Sequence, residues 1–467
     1  MSILDRESTV APPGFNRWLI PPAALAVHLS IGQVYAFSVF KLPLAKVLGV
    51  GPSEQASLAW IFSIAIAFLG ISAAVFGKWV EKSGPRKTML AAACCFGGGF
   101  LVSALGVGLH QLWILYLGYG VLGGCGLGLG YISPVSTLVK WFPDRPGMAT
   151  GMAIMGFGGG ALIGSNLSLT LMDAFKSSSD PGVAPAFIAM GAIYFVFILF
   201  GAWIVRVPAA DWKPAGYTPS TTPQKLVTTA NVALDQAWRT PQFWLLWVVL
   251  CFNVTAGIGI LAQASPMIQE MFPAGGVHKG VTAAAAGGFV ALLSLFNMAG
   301  RFLWSSLSDY TGRKAVYVIY LLLGAVLYCL IPLAAHSGSA TLFVAICVIL
   351  LSMYGGGFAT IPAYLKDLFG TMQVGAIHGR LLTAWSMAGI LGPVLVNELR
   401  DRLHASGVTG VSLYAPTMYL MAGLLIIGLI CNLLVRPVDE RYHCHGDPSR
   451  PVGPDDDIPH HPRPAHA

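Results

Sequence analysis

Twelve apolar runs, each long enough to cross a bilayer, constrain this chain more than any motif in it. They lie at about 18–42, 57–80, 88–109, 112–139, 148–172 and 185–206, and, after a polar stretch, at 241–272, 281–307, 315–335, 340–366, 374–398 and 412–435. A helix needs roughly 20 apolar residues to span a hydrocarbon core about 30 Å thick. In that medium every backbone N–H and C=O must find its partner inside the protein, which helices achieve within each segment. Hydrophobic residues make up 55% of the 467 and charged residues only 10%, a balance that excludes a set of soluble domains. The fold class expected is an all-α membrane protein of twelve helices in two pseudo-symmetric six-helix bundles.

The organisation follows. Residues 1–17 are a short N-terminus, 18–206 a first bundle, 207–240 a linker rich in Pro, Thr, Ser and Lys, 241–435 a second bundle, and 436–467 a polar tail expected to be disordered. The first apolar run continues from Trp18 to Leu48, too long for a signal peptide, so it reads as the first membrane helix. With the N-terminus inside, 20 of the 27 Lys and Arg fall on cytoplasmic segments and six outside, leaving Arg301 in the membrane. That bias places both termini in the cytoplasm of a multi-pass inner-membrane protein. The net charge of +7 then reflects basic loops and not a nucleic-acid partner. The eight cysteines sit mostly within apolar runs, without metal-ligand spacing, and read as packing residues. No cofactor or metal site is expected.

The halves repeat. A shift of 228 residues superposes Gly84 on Gly312, Arg86 on Lys314, Gly128 on Gly356, Pro134 on Pro362, Gly147 on Gly375, Gly151 on Gly379 and Gly164 on Gly392. Two six-helix halves joined by a linker describe a transporter that rocks one half against the other around a midplane site. At that midplane stands Arg301, inside an apolar stretch and eight residues before Asp309, hence roughly 12 Å from the charged turn at helical rise. An arginine there costs at least ~2.5–3.5 kcal/mol on insertion scales and cannot shed its proton. The interior of the runs holds no Asp or Glu to pair with it. A charge so placed awaits an anion.

Two loops carry a common pattern, GKWVEKSGPRK (Gly77, Glu81, Gly84, Arg86, Lys87) and SSLSDYTGRK (Asp309, Gly312, Arg313, Lys314). Each sets an acid four residues after a small residue, then a glycine turn, then bases that reach back to the acid, which reads as a breakable conformational latch. These loops resemble the signature of the major facilitator superfamily. Together with GQVYAFSVF, KWFPDRPGMATG, RTPQFWLLW and GGGFATIPAYLKDLFG, the chain from Trp18 to Arg436 resembles the oxalate/formate antiporter family, related to the monocarboxylate transporters.

The resemblance implies that Arg301 binds a substrate carboxylate and that Tyr35, Tyr131, Tyr354 and Phe358 line the site. It also marks two departures. Where the oxalate-exchanging member has a second cation in helix 11, this chain has Trp385; where proton-coupled monocarboxylate transporters have an aspartate one turn before the arginine, it has Asn297. A dianion beside one cation in a low-dielectric site is penalised by several kcal/mol, so a monocarboxylate is expected over oxalate. Asn297 either orients the guanidinium and meets substrate or serves as an interhelical hydrogen bond. Gln33 is a candidate contact near Tyr35. His28, Asn166, Asn253 and Gln263 read as structural bonds, and His378 and Arg380 as contacts at the cytoplasmic end. Lys41 and Lys46 lie near the outer mouth. His443, Cys444, His445, His460, His461 and His466 belong to a solvated tail without the spacing of a metal site.

The function expected is secondary transport of a small carboxylate by alternating access, as an exchanger. Proton-coupled symport of pyruvate or lactate and oxalate/formate exchange proper are the alternatives, with a non-transporting carboxylate sensor more remote. The partners expected are the small carboxylate, the lipid bilayer and, under symport, protons; the chain is expected to be a monomer and not an enzyme.

Overall fold

In the computed structural model, which describes residues 2–51, 55–178, 180–209, 212–217, 226–273 and 280–444, the apolar runs form twelve membrane-length helices. The first six are α1 (Arg17–Leu48), α2 (Gln55–Ser83), α3 (Pro85–Gly108), α4 (Leu112–Trp141), α5 (Pro146–Phe175) and α6 (Val183–Ile204). The second six are α7 (Pro241–Met271), α8 (Ala283–Thr311), α9 (Arg313–His336), α10 (Ala340–Phe369), α11 (Val374–Ala405) and α12 (Val411–Leu434). The protein is a multi-pass membrane protein. Large apolar side chains such as Trp113, Phe200, Leu303 and Ile430 lie exposed on the outer faces of the helices, where lipid replaces water as their solvent.

The repeat is stricter in the structure than in the sequence. An offset of 228 carries the bounds of α2, α3 and α4 onto those of α8, α9 and α10 without a residue of error. It also pairs the left-handed Gly84 (φ 79°) with Gly312 (φ 86°), each a one-residue joint between consecutive helices. Only glycine enters that region without steric cost, so the turn that aims α2 at α3 is reproduced between α8 and α9. Departures from regular helix were not signalled, among them a break at Leu382 within α11. α1 carries a 3-10 stretch at Gly32–Phe40, longer than such stretches usually run, and α4 carries a π stretch at Tyr116–Gly123.

The described parts of the N-terminal segment, of the linker and of the segment after α12 meet at one end of the molecule. Val10 bridges Val207, and Val232 bridges His443. Asn231 Oδ1 accepts from the backbone of Thr371 and Met372, both at 3.1 Å. Of the tail expected at 436–467, the described residues 436–444 carry defined structure. Glu440–Tyr442 form a 3-10 turn, and the Cys444 N–H donates to Asn231 O at 2.8 Å, so the linker supplies backbone partners to the tail. His443 and Cys444 lie on this segment, while His445, His460, His461 and His466 lie outside the described residues.

Candidate functional site

Arg301 is fully enclosed, with no exposed surface, because its helix is gripped between two glycine faces. A Cβ at Gly158 of α5 would sit 3.0 Å from Arg301 Nε, and one at Gly355 of α10 would sit 3.1 Å from Arg301 Cγ. The missing side chains let three backbones converge around the guanidinium. Its Nε donates to Asn297 Oδ1 at 3.2 Å, one helical turn back, and Nη1 donates to Ile154 O on α5 at 3.4 Å. Nη2 has no protein partner, and no carboxylate among the described residues forms an ion pair with Arg301. The guanidinium carbon lies 5.0 Å from the centre of Phe358 and 5.6 Å from that of Phe157. Such faces attract a desolvated cation by about 2 kcal/mol, without neutralising it.

The rings form one connected wall. Tyr35 and Tyr354 join the two halves through their hydroxyls at 3.0 Å. Trp385 packs on Phe358 (4.4 Å between centroids), Phe157 (5.1 Å) and Tyr131 (5.4 Å). Tyr35 adds its edge to Phe157 at 5.2 Å. Arg301, Asn297, Tyr35, Tyr131, Tyr354, Phe358 and Trp385 are thus brought together. Gln33 is not. Its Oε1 accepts from Tyr119 within the first bundle at 3.0 Å, and its methylenes lie against Gly164, so the 3-10 stretch of α1 turns it away from Tyr35's side.

Three residues of the site were not anticipated. Phe157 is the ring that touches Tyr35, Tyr131, Trp385 and Arg301 alike. Its one signal is being the lone aromatic in the glycine-rich run MGFGGGALIG. His378, expected at the end of the bundle, is buried, with neither ring nitrogen partnered, 5.8 Å from the Tyr131 ring. His28 approaches the same ring at 5.2 Å; its Nδ1 is bonded to Ala24 O at 2.9 Å and its Nε2 has no protein partner. The Tyr131 hydroxyl and Trp385 Nε1 are likewise buried and unpartnered. Buried polar atoms are nearly always hydrogen-bonded, so this concentration beside a bare guanidinium is chemically distinctive.

The two loop motifs lie at the end bearing the termini, and each acid crosses between the halves. Asp309 accepts from Gly147 N at 2.9 Å and Met148 N at 2.8 Å, at the start of α5. At the equivalent place Glu81 accepts from Gly375 N at 2.9 Å, at the start of α11. Helix N-termini present unpaired N–H groups and positive potential, which suits an acid from the opposite half. The bases are not arranged as expected in both copies. Arg313 reaches Asp309 at 2.6 Å and Asp367 at 3.1 Å, and Lys314 caps α12 through Leu433 O and Val435 O. In the first half Arg86 points away, donating to Ile3 O at 2.6 Å and lying over Trp203, while Lys87 is exposed. Pro85 occupies the place of Arg313, and Lys140 of α4 pairs with Glu81 at 2.5 Å instead.

The linker adds a third tie. Asp235 takes Lys78 of α2 at 2.7 Å and Arg380 of α11 at 3.1 Å. Its carboxyl is held below the usual carboxylate range, chiefly by the hydrogen bond from Lys78, with Arg380 acting in the same direction. Between described residues, the hydrogen bonds that join the two halves run from this end up to Tyr35–Tyr354 and Ser386, whose hydroxyl donates to Ala67 O at 2.9 Å, and no farther.

The family model described as Major Facilitator Superfamily matches residues 23–393 and again 271–451. The chain is 27% identical to an uncharacterised MFS-type transporter, YhjX, of Escherichia coli strain K12, over 80% of this chain and 86% of that protein. It is also 27% identical to the oxalate:formate antiporter of Oxalobacter formigenes, over 81% of this chain and 83% of that one. Among solved structures, the E. coli fucose:proton symporter FucP shares the fold with a TM-score of 0.62 at 15% identity, covering 89% of this chain and 99% of that one.

Proposed function

The chain belongs to the Major Facilitator Superfamily, a family of transporters, and on that premise we propose that it exchanges a small carboxylate, a monocarboxylate in preference to a dicarboxylate, across the inner membrane. The observation that carries this reading is the buried Arg301 with its unpartnered Nη2 beside the unpartnered Tyr131 hydroxyl and Trp385 indole N–H. All three donate, and a carboxylate is acceptor-only, with room for several donors on its two oxygens. Tyr35, Tyr354, Phe157 and Phe358 would hold the body of the substrate and exclude water, strengthening the charge pair. Asn297 would fix the guanidinium plane through its bond to Nε. The similar oxalate:formate antiporter supports an anionic substrate class.

Exchange would follow from the charge. An empty site leaves a bare cation between the halves, and occlusion then takes that cation out of water without compensation. A bound monocarboxylate neutralises it, so both halves close around the loaded site more readily than around the empty one. With the termini cytoplasmic, as the basic loops indicate, the Asp309 and Glu81 ties close the cytoplasmic side in this state, and the substrate enters from the other face. Uptake by reconstituted vesicles tests the reading. Arg301→Ala should abolish saturable uptake across a panel of formate, oxalate, lactate and pyruvate, and wild-type-like uptake by that variant would sink the mechanism. Preloading vesicles with substrate should accelerate uptake. Tight oxalate binding would overturn the argument from a single cation.

A further inference from the structure

We propose that the first half holds an anionic phospholipid in the leaflet on the side of the termini. Arg86 and Arg206 would grip its phosphate beside Trp203, away from Arg301 and whatever substrate binds there. The argument begins with a surplus of positive charge at the start of α3. Arg86 and Lys87 stand in its first turn, which has no acid and no side-chain cap. A helix N-terminus already presents unpaired N–H groups and positive potential, so two bases there call for an anion. Arg86 is buried, its Nε has no protein partner, and its hydrogen bond runs from Nη1 to Ile3 O at 2.6 Å. Arg206, just past the end of α6, donates to the carbonyls of Trp203 and Val205. Burial first, and the charge of Arg86 second, hold the Arg206 guanidinium below its usual range. Among the described residues no carboxylate pairs with Arg6, Arg86, Lys87 or Arg206. The acid nearest in the chain, Glu81, is already taken by Lys140 and by Gly375 N.

The repeat shows what the scaffold itself requires at this place. The 228-residue offset relates Arg86 to Lys314 and Arg206 to Leu434. Lys314 caps α12 through Leu433 O and Val435 O, and Arg313 beside it meets Asp309 and Asp367. In the second half, therefore, one base serves the helix end and its neighbour has its acids. In the first half Arg206 serves the end of α6, which leaves Arg86 as a buried charge that the joint does not need.

The setting selects a lipid over a soluble anion. Trp203 is exposed on the outer face of α6, and the Arg86 guanidinium carbon lies 5.1 Å from its ring centre. A tryptophan exposed at the end of a membrane helix sits at headgroup depth. Toward the middle of the bilayer α6 goes on to expose Phe200 and Val196, and α3 exposes Cys94. The two helices touch there, since a Cβ at Gly97 would meet Gly191 O at 3.0 Å. Acyl chains thus have an apolar surface to lie along directly below the two guanidiniums. Arginine matches the oxygens of a phosphate bidentately, and anionic lipids gather where bases crowd a membrane surface. A free phosphate would meet the same charges without the apolar flank.

Lipid binding by the purified full chain tests this. Native mass spectrometry in detergent, with dioleoyl phosphatidylglycerol titrated against dioleoyl phosphatidylcholine, should show preferential binding of the anionic lipid. Arg86→Gln and Arg206→Gln should each weaken phosphatidylglycerol binding by about fivefold, the factor expected for one base at an anionic surface. Lys314→Gln, which removes the equivalent base of the second half, should leave that binding unchanged. The thermal midpoint in detergent should rise with phosphatidylglycerol and not with inorganic phosphate. If Arg86→Gln does not fold, Arg206→Gln carries the test, because that side chain is only half-buried. Equal affinity for the two lipids would overturn the inference, as would an undiminished preference in Arg206→Gln. An equal rise of the midpoint with inorganic phosphate would overturn the lipid assignment in favour of a soluble anion.

Discussion

Arg301 and Ala73 occupy equivalent places in the two halves, 228 residues apart, and the backbone around them is packed alike. A side chain at Gly151 would strike the carbonyl of Arg301, and one at Gly379 the carbonyl of Ala73. Both residues are fully buried. One carries a methyl group and the other a permanent charge. The duplicated scaffold therefore positions helices, while the chemistry is written once, on one half. The opposite wall, from the first half, supplies rings and hydroxyls that receive the charge without neutralising it. A solitary cation facing neutral donors suits one negative charge on the ligand.

The comparison is broken most directly by making the halves equal. Arg301→Leu should lose all carboxylate uptake, yet the empty protein should resist heat better in detergent, since the substitution removes a burden of about 2.5–3.5 kcal/mol. A fall in thermal midpoint would mean that Arg301 is paired in the native state. The latches come next. Asp309→Ala leaves two α5 amides without their acceptor and Arg313 with Asp367 as its remaining carboxylate, in a nearly closed setting, and should cost about 3 kcal/mol. Glu81→Ala leaves Lys140 closer to solvent and should cost about 1.5–3 kcal/mol. Thermal unfolding of the two variants side by side checks the order, and equal losses would show that the asymmetry of bases does not matter.

Gly158→Ser tests the scaffold itself, because the equivalent residue in the second half is Ser386. A Cβ there crowds Arg301 Nε and should weaken pyruvate binding by about 1–3 kcal/mol, read as a rise in Kd. Unchanged affinity would mean that the guanidinium moves freely. The smallest effect belongs to Asp235. Its lowered carboxyl pKa contributes stability that is complete above the unfolded value near 3.9 and is lost as pH falls through the folded value. It is 43% exposed, so Asp235→Asn should cost only about 0.2–1 kcal/mol at pH 7, and the gap to wild type should close in acid. Thermal midpoints followed from pH 7 down into acid measure it, and a gap that does not narrow as pH falls would assign the effect to packing.

Much of this was legible along the chain. Twelve apolar runs require twelve helices because lipid offers no partner to a bare backbone. The 228-residue repeat followed from glycines and prolines that cannot be exchanged at turns and close contacts. Arg301 stood out because no acid shares its depth, and Asn297 because one turn of helix places it within reach. These are properties of single helices or of spacing, which a sequence carries in full.

What only the tertiary structure decided is which faces meet. A 3-10 stretch rotates α1, so Gln33 turns into the first bundle while Tyr35 meets Tyr354. Glycine faces on α5 and α10 close over Arg301 and bring Phe157 to its side. Lys140 replaces Arg86 at Glu81 because Pro85 stands where the other half has Arg313. His28 and His378, 350 positions apart, reach one tyrosine because α1, α4 and α11 converge there. Helix rotation and approach are set by contacts between distant segments, and no spacing along one segment encodes them.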